Sequence, residues 1–209
     1  MALLDELTGL ATRRHFRERL RQEIPRGRRQ GTPLCVLMLD LDHFKRINDG
    51  WGHAVGDRTL ARFGSVLKES LRRSDLPARL GGDEFGALLP DTGPEDAVLL
   101  AERIRESLGD DPIFAADGSE IRLTCSIGVA ALDADHDDDE SVLARADAAL
   151  YEAKHAGRDS VASQPAPAAA TARTPTCGSR SASFGIGKRG TSGSDPEEPT
   201  ARALSDLDR

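Results

Sequence analysis

Two glycines followed at once by two carboxylates, Gly81-Gly82-Asp83-Glu84, leave the chain few conformations. The approach through Arg79-Leu80 and the run 85–89 read as strands on either side of a tight turn. Paired glycines supply the positive φ that a two-residue hairpin turn needs. Asp83 and Glu84 then lie beside bare backbone N–H groups, which suits a divalent cation carrying a phosphate. An ordinary hairpin with solvated acids would read the same over these residues. The rest of the chain has to decide between them.

Residues 3–11 open as a turn-like lead-in, Asp5-Glu6-Leu7-Thr8-Gly9-Leu10, after which Thr12 caps a helix with Phe16, Leu20 and Ile24 on its apolar face. The run Leu34-Cys35-Val36-Leu37-Met38-Leu39 predicts a central strand ending on Asp40-Leu41-Asp42. Alternate side chains share a face, so Asp-x-Asp is either a metal support or a solvated strand end. A short helix follows from His43, broken at Gly50, and a second begins near Gly56-Asp57 with Leu60, Phe63, Leu67 and Leu71 aligned. Asp57 reads equally as a helix cap and as a ligand contact. Thr92-Gly93-Pro94-Glu95 starts another helix. Residues 113–114, Gly118 and 121–132 read as a hairpin feeding a long strand. The acid cluster 133–140 reads as a solvated loop and helix cap. The last helix, 141–156, stops at Gly157 with Lys154 and Arg158 near its end.

Composition divides the chain in two. Residues 162–209 hold five of the 11 prolines and few large apolar side chains, and are predicted to be a low-complexity disordered tail. They carry +1 of the net −7, leaving −8 on residues 1–161, the predicted domain. An acidic domain argues against a nucleic-acid partner, since phosphate backbones demand a basic face. Cys35, Cys125 and Cys177 are odd in number and widely spaced, which implies no disulfide framework and fits the cytoplasm. No apolar run is long enough for a membrane span, and no export leader is visible at Met1.

Four motifs stand in order: Asp5-x-Leu7-Thr8-Gly9-Leu10-x-x-Arg13-Arg14; Asp40-x-Asp42-x-Phe44-Lys45-x-x-Asn48-Asp49-x-x-Gly52-His53-x-x-Gly56-Asp57; Gly81-Gly82-Asp83-Glu84-Phe85; and Ala146-Asp147-x-Ala149-Leu150-Tyr151-x-Ala153-Lys154-x-x-Gly157-Arg158. Together they resemble the GGDEF family of diguanylate cyclases over about residues 5–160. Thr12 and Asp159 stand where asparagine is usual in that family. The resemblance implies an α+β fold related to nucleotide-cyclase and polymerase palm domains, with a central, mainly antiparallel five-stranded sheet flanked by helices. It implies a homodimer that joins two GTP into cyclic di-GMP with Mg²⁺ (or Mn²⁺). By position, Asp40, the Leu41 carbonyl and Asp83 hold the metal, and Glu84 assists removal of the 3′-hydroxyl proton. Gly81 and Gly82 let the ribose and α-phosphate approach. Amides at His43 and Phe44, with Lys45, Lys154 and Arg158, take the outer phosphates, while Asn48 and Asp57 read guanine.

Arg72-x-x-Asp75 stands at the family's inhibitory product site, with Arg103 as a second guanine-binding arginine. Only four residues precede Asp5. Relatives commonly place a sensor or coiled coil there, so pairing of two copies is expected to depend on concentration. The rival expectation is a non-catalytic module that binds GTP or cyclic di-GMP and signals through a partner.

Overall fold

The computed structural model describes residues 2–110, 112–133 and 137–164. Its elements are β1 (Ala11–Thr12), α1 (Arg13–Gln30), β2 (Leu34–Leu41), α2 (Phe44–Trp51), α3 (His53–Ser70), β3 (Leu76–Gly81), β4 (Glu84–Pro90), α4 (Pro94–Gly109), β5 (Ile113–Phe114), β6 (Glu120–Ile121), β7 (Cys125–Ala131), α5 (Asp139–His155) and β8 (Val161–Gln164). The fold is α+β, as expected, and the unbroken apolar run of β2 lies inside the sheet, between β4 and β7. Strands β3, β4, β2 and β7 are antiparallel throughout.

The sheet has six strands rather than five, in the order β1-β3-β4-β2-β7-β8. The outermost two are short and run parallel to their neighbours. β1 is two residues long and β8 is a polar run, so neither carries an alternation that a pattern reading could detect. β8 also carries the fold to Gln164, three residues past Val161. The tail expected from 162 lies, from residue 165, outside the described residues. The long strand expected over 121–132 is interrupted: β6 ends at Ile121, pairs with β5 in a separate ribbon, and β7 starts at Cys125. α2 continues through Gly50 and ends at Gly52 (φ 82°).

Alternation along β2 separates two cores. Cys35, Leu37, Leu39 and Leu41 join Phe85, Ile127, Phe63, Leu67, Ile104 and Leu108 beneath α3 and α4. Phe63 and Phe85 meet edge to face at 4.7 Å. Leu34 and Val36 face the other way, with Leu88, toward Phe16, Leu20 and Ile24 of α1 and Val142 and Ala146 of α5. α1 runs through Pro25, starts on Thr12 and ends on left-handed Gly31.

The acid cluster is more than a solvated loop. Asp138 closes a capping box with Ser141, as a cap reading predicts. Asp137 is buried against Arg145, and Asp139 pairs with Arg17 and Arg21 of α1. The cluster therefore supplies the counter-charge of an arginine-rich helix. Cys35 and Cys125 are free and buried; burial pushes the Cys35 thiol up to about 12. Cys177 lies outside the described residues. Among the described residues no helix is long and apolar enough to cross a membrane.

Candidate active site

The hairpin forms, but its turn is Gly82-Asp83, because Gly81 already pairs with Glu84. Of the two glycines only Gly82 (φ 44°) is left-handed, so the pair does not share that conformation as the sequence suggested. A register shift between Arg79 and Gly81 accounts for the offset. The Arg79 guanidinium donates to the Gly82 carbonyl from Nε (3.0 Å) and Nη2 (2.9 Å), and from Nη1 to Asp5 at 3.3 Å. Asp5 accepts from the Thr8 amide (2.9 Å) and hydroxyl (2.7 Å). The opening motif is thus a clamp on the turn. Sequence reading assigned no such role to Asp5 or Arg79, since the link spans 74 positions.

Beside the turn, Asp40 of β2 stands directly opposite Glu84 of β4, and the Leu41 amide donates to the Asp83 carbonyl at 3.4 Å. Burial pushes the Asp40 carboxyl up; Lys154 of α5, 2.9 Å away, pulls it down, and Asp83 and Asp42 push it up again. Asp40 and Asp83 are therefore close enough to feel each other's charge. Glu84 is exposed, with Arg13 at 3.6 Å.

Among the described residues no group of three His, Cys, Asp or Glu side chains forms a metal cage. Two carboxylates and a carbonyl nevertheless fit Mg²⁺, a hard cation that keeps waters and leans on substrate phosphates rather than an all-protein cage. The half-buried, mutually repelling acids also fit a site that gains from a cation.

Asp42 has a different place. It is buried and accepts from the hydroxyls of Ser126 (2.8 Å) and Thr124 (3.0 Å) and from the Asp159 amide (2.9 Å). It is a tie between β2, β7 and the turn after α5. The shared face inferred from Asp-x-Asp does not make it a metal support, because every one of these bonds is a structural link.

His43 caps α2 in a left-handed conformation (φ 58°) without a side-chain bond, leaving the first helical amides as donors for an anion. Lys45 is exposed. Asn48 lies over Gly56: a Cβ there would come within 1.9 Å of the Asn48 Oδ1. Only glycine allows that approach, and it sets Asn48 next to the residue preceding Asp57. α3 starts at His53, so Asp57 sits a turn inside the helix and is exposed, not the cap the sequence allowed. Arg158 is exposed, at φ 66°.

The structure also brings Arg72, Asp75 and Arg103 together around a cavity of about 280 Å³ lined further by Thr92, Asp96 and Leu99. Asp75 is buried and accepts from the Arg72 backbone amide (2.9 Å). The Arg72 side chain is left toward solvent. Arg103 donates to the Ser70 carbonyl at 3.2 Å.

Known proteins resemble this chain over most of its described residues. The family described as "Diguanylate cyclase, GGDEF domain" matches residues 2–160. The chain is 46% identical over 158 residues to the diguanylate cyclase DgcP of Pseudomonas aeruginosa, covering 76% of this chain and 23% of that one. It is 42% identical over 162 residues to the response regulator PleD of Caulobacter vibrioides, covering 77% and 36%. The chain thus spans about a quarter to a third of the length of these curated relatives. The crystal structure of the GGDEF domain of DgcB from Caulobacter crescentus, in complex with c-di-GMP, superimposes with a TM-score of 0.75 at 33% identity, covering 78% of this chain and 93% of that one.

Proposed function

The chain belongs to the GGDEF family of diguanylate cyclase domains, and from that premise we propose that it condenses two GTP into cyclic di-GMP. The observation that carries the reading is the meeting of Asp40, Asp83 and Glu84 at one strand end with Lys154 2.9 Å from Asp40. Two copies face each other, each holding one GTP. The 3′-oxygen of each nucleotide attacks the α-phosphorus of the other; a phosphodiester bond forms, the bond to pyrophosphate breaks, and the 3′ proton passes toward Glu84. Two such displacements release two pyrophosphates.

Asp40, the Leu41 carbonyl and Asp83 would hold Mg²⁺ (or Mn²⁺), which supplies charge neutralisation at the phosphates. Gly81 and Gly82 expose backbone to the ribose and α-phosphate. The amides at His43 and Phe44, with Lys45, Lys154 and Arg158, hold the outer phosphates. Asn48 and Asp57 read guanine, whose N1–H and amino group give an aspartate two donors that adenine lacks. The reaction takes place in the cytoplasm, where Cys35 and Cys125 stay reduced.

The test is to incubate the purified chain with GTP and Mg²⁺ and identify products by mass. Cyclic di-GMP is expected, at a rate rising more steeply than linearly with enzyme concentration. The Asp83→Ala variant is expected to be slower by about 10³-fold or more, the scale of losing a key charge-stabilising group. GTP binding without product at any concentration would favour a non-catalytic module instead.

The cavity at Arg72, Asp75 and Arg103 supports a product-inhibition site, since guanidinium forks suit the guanine edge and phosphates. Arg72→Ala is expected to keep synthesis and lose most of the inhibition by added cyclic di-GMP, read as a rise of about tenfold in the inhibitory concentration. Unchanged inhibition would reject the site.

A further inference from the structure

The turn that follows α5 is held in an unusual shape. Gly157, Arg158 and Asp159 have φ of 124°, 66° and 43°, three left-handed residues in succession of which two carry a Cβ. Side-chain-bearing residues adopt that region rarely, and such a run persists only where its surroundings over-determine it.

The surroundings are on the page. The Asp159 amide donates to buried Asp42 at 2.9 Å, and the Asp159 carboxylate accepts from Arg105 Nη1 of α4, also at 2.9 Å. Arg105 is itself gripped by Glu102 at 2.8 Å, with Glu106 at 3.8 Å, and its side chain is only 23% exposed. The Arg158 amide donates to the Ala153 carbonyl (3.2 Å), the Ser160 hydroxyl donates to the same carbonyl (3.0 Å), and the Ile127 amide donates to the Ser160 carbonyl (3.0 Å). So the backbone at 158 is fixed from α4, α5, β2 and β7. Among the described residues none bonds the Arg158 guanidinium. A pinned backbone carrying a free cation, four residues past the Lys154 that pairs with Asp40, is the arrangement of a prepositioned anion contact.

We infer that Arg105 and Asp42 are positioning residues for GTP: by locking Asp159 they hold Arg158 aimed at the outer phosphates. The inference rests on the phosphate role proposed above for Arg158. Neither Arg105 nor Asp42 touches substrate; both act through Arg158. The cost of losing either is therefore confined to the part of the nucleotide that Arg158 reaches.

Titration calorimetry on the full chain with Mg²⁺ separates the possibilities, using 3′-deoxy-GTP, which lacks the attacking hydroxyl, and GMP, which lacks the outer phosphates. Arg105→Ala is expected to weaken 3′-deoxy-GTP by about five- to tenfold and leave GMP unchanged, within the range of a single coupled contact. Asp159→Asn, which tolerates the left-handed region but drops the charge, is expected to lose less, and Asp42→Asn likewise. The double variant Arg105→Ala/Arg158→Ala is expected to bind no more weakly than Arg158→Ala alone. In turnover, Arg105→Ala raises KM for GTP without lowering kcat. Equal losses for 3′-deoxy-GTP and GMP, or losses that add in the double variant, would make Arg105 a merely structural residue and overturn the inference. If Arg158→Ala alone leaves 3′-deoxy-GTP binding intact, the phosphate role of Arg158 falls, and the positioning role with it. Should Arg105→Ala not fold, Arg105→Gln and Asp159→Asn carry the same comparison.

Discussion

The face of the sheet under α3 and α4 is closed by large side chains, whereas the face under α1 and α5 brings a helix down onto glycine and alanine. Phe63, Phe85, Leu37, Leu39 and Leu67 fill the first and are fully buried. On the second, Gly128 and Ala130 of β7 lie against Ala146 of α5. A Cβ on Gly128 would fall 2.1 Å from the Ala146 carbonyl oxygen and 2.2 Å from the Leu150 amide nitrogen, so helix and strand meet backbone to backbone. The thick face maximises apolar burial and holds the fold. The thin face gives up burial for proximity, and that proximity lets a lysine on the helix reach a carboxylate at the strand end.

The largest expected effect breaks the thick face. Phe63→Ala removes a ring that is fully buried and edge-on to Phe85, and is expected to cost about 3–5 kcal/mol in urea unfolding. Activity per folded molecule is expected to survive, because the Asp40 side chain alternates with Leu39 and Leu41 and so lies on the other face of β2. A variant that stays as stable as the parent but loses GTP binding would erase the distinction between the faces.

Gly128→Ala tests the thin face. The added methyl meets backbone rather than a flexible side-chain tip, so α5 has to lift, at about 1–3 kcal/mol. Lifting α5 separates Lys154 from Asp40. KM for GTP is therefore expected to rise in the fraction that remains folded, which Phe63→Ala does not predict. A neutral Gly128→Ala would mean the close approach is not required.

The thick face was largely readable in the sequence, and the thin one only in part. Leu60, Phe63 and Leu67 repeat at helical spacing, and 34–39 is a continuous apolar run; such local periodicity survives folding. The acids of the candidate site were legible as well, because Gly81-Gly82-Asp83-Glu84 and Asp40 sit in short motifs that the fold brings side by side. What escaped depends on pairing across the chain. Asp42 looks like a twin of Asp40 until Thr124, Ser126 and Asp159 claim it from 82, 84 and 117 positions away. Asp137 looks solvated until Arg145 buries it, and Asp159 looks like a loop residue until Arg105 arrives from another helix. Side-chain chemistry announces that such residues need partners, but spacing does not say which partners.

The smallest effect comes from the polar clamp on the hairpin turn, and it separates a charged tie from apolar burial by pH. Burial pushes the Asp5 carboxyl up, but the Thr8 hydroxyl and amide and then Arg79 outweigh it, so its pKa lies below the usual carboxylate value. A lowered folded pKa means that Asp5 contributes its stability above the unfolded value, near pH 4, and loses it as pH falls through the folded value. Asp5→Asn is accordingly expected to cost about 1–2 kcal/mol near pH 7, the scale of charge-assisted hydrogen bonds. The gap between variant and parent then narrows below about pH 4. The Phe63→Ala penalty, resting on apolar burial alone, is expected to stay flat over the same range. Urea unfolding of both variants at a series of pH values checks the contrast. A gap for Asp5→Asn that persists undiminished to pH 2 would show that the ionised clamp does not hold the turn, and that the turn is fixed by packing alone.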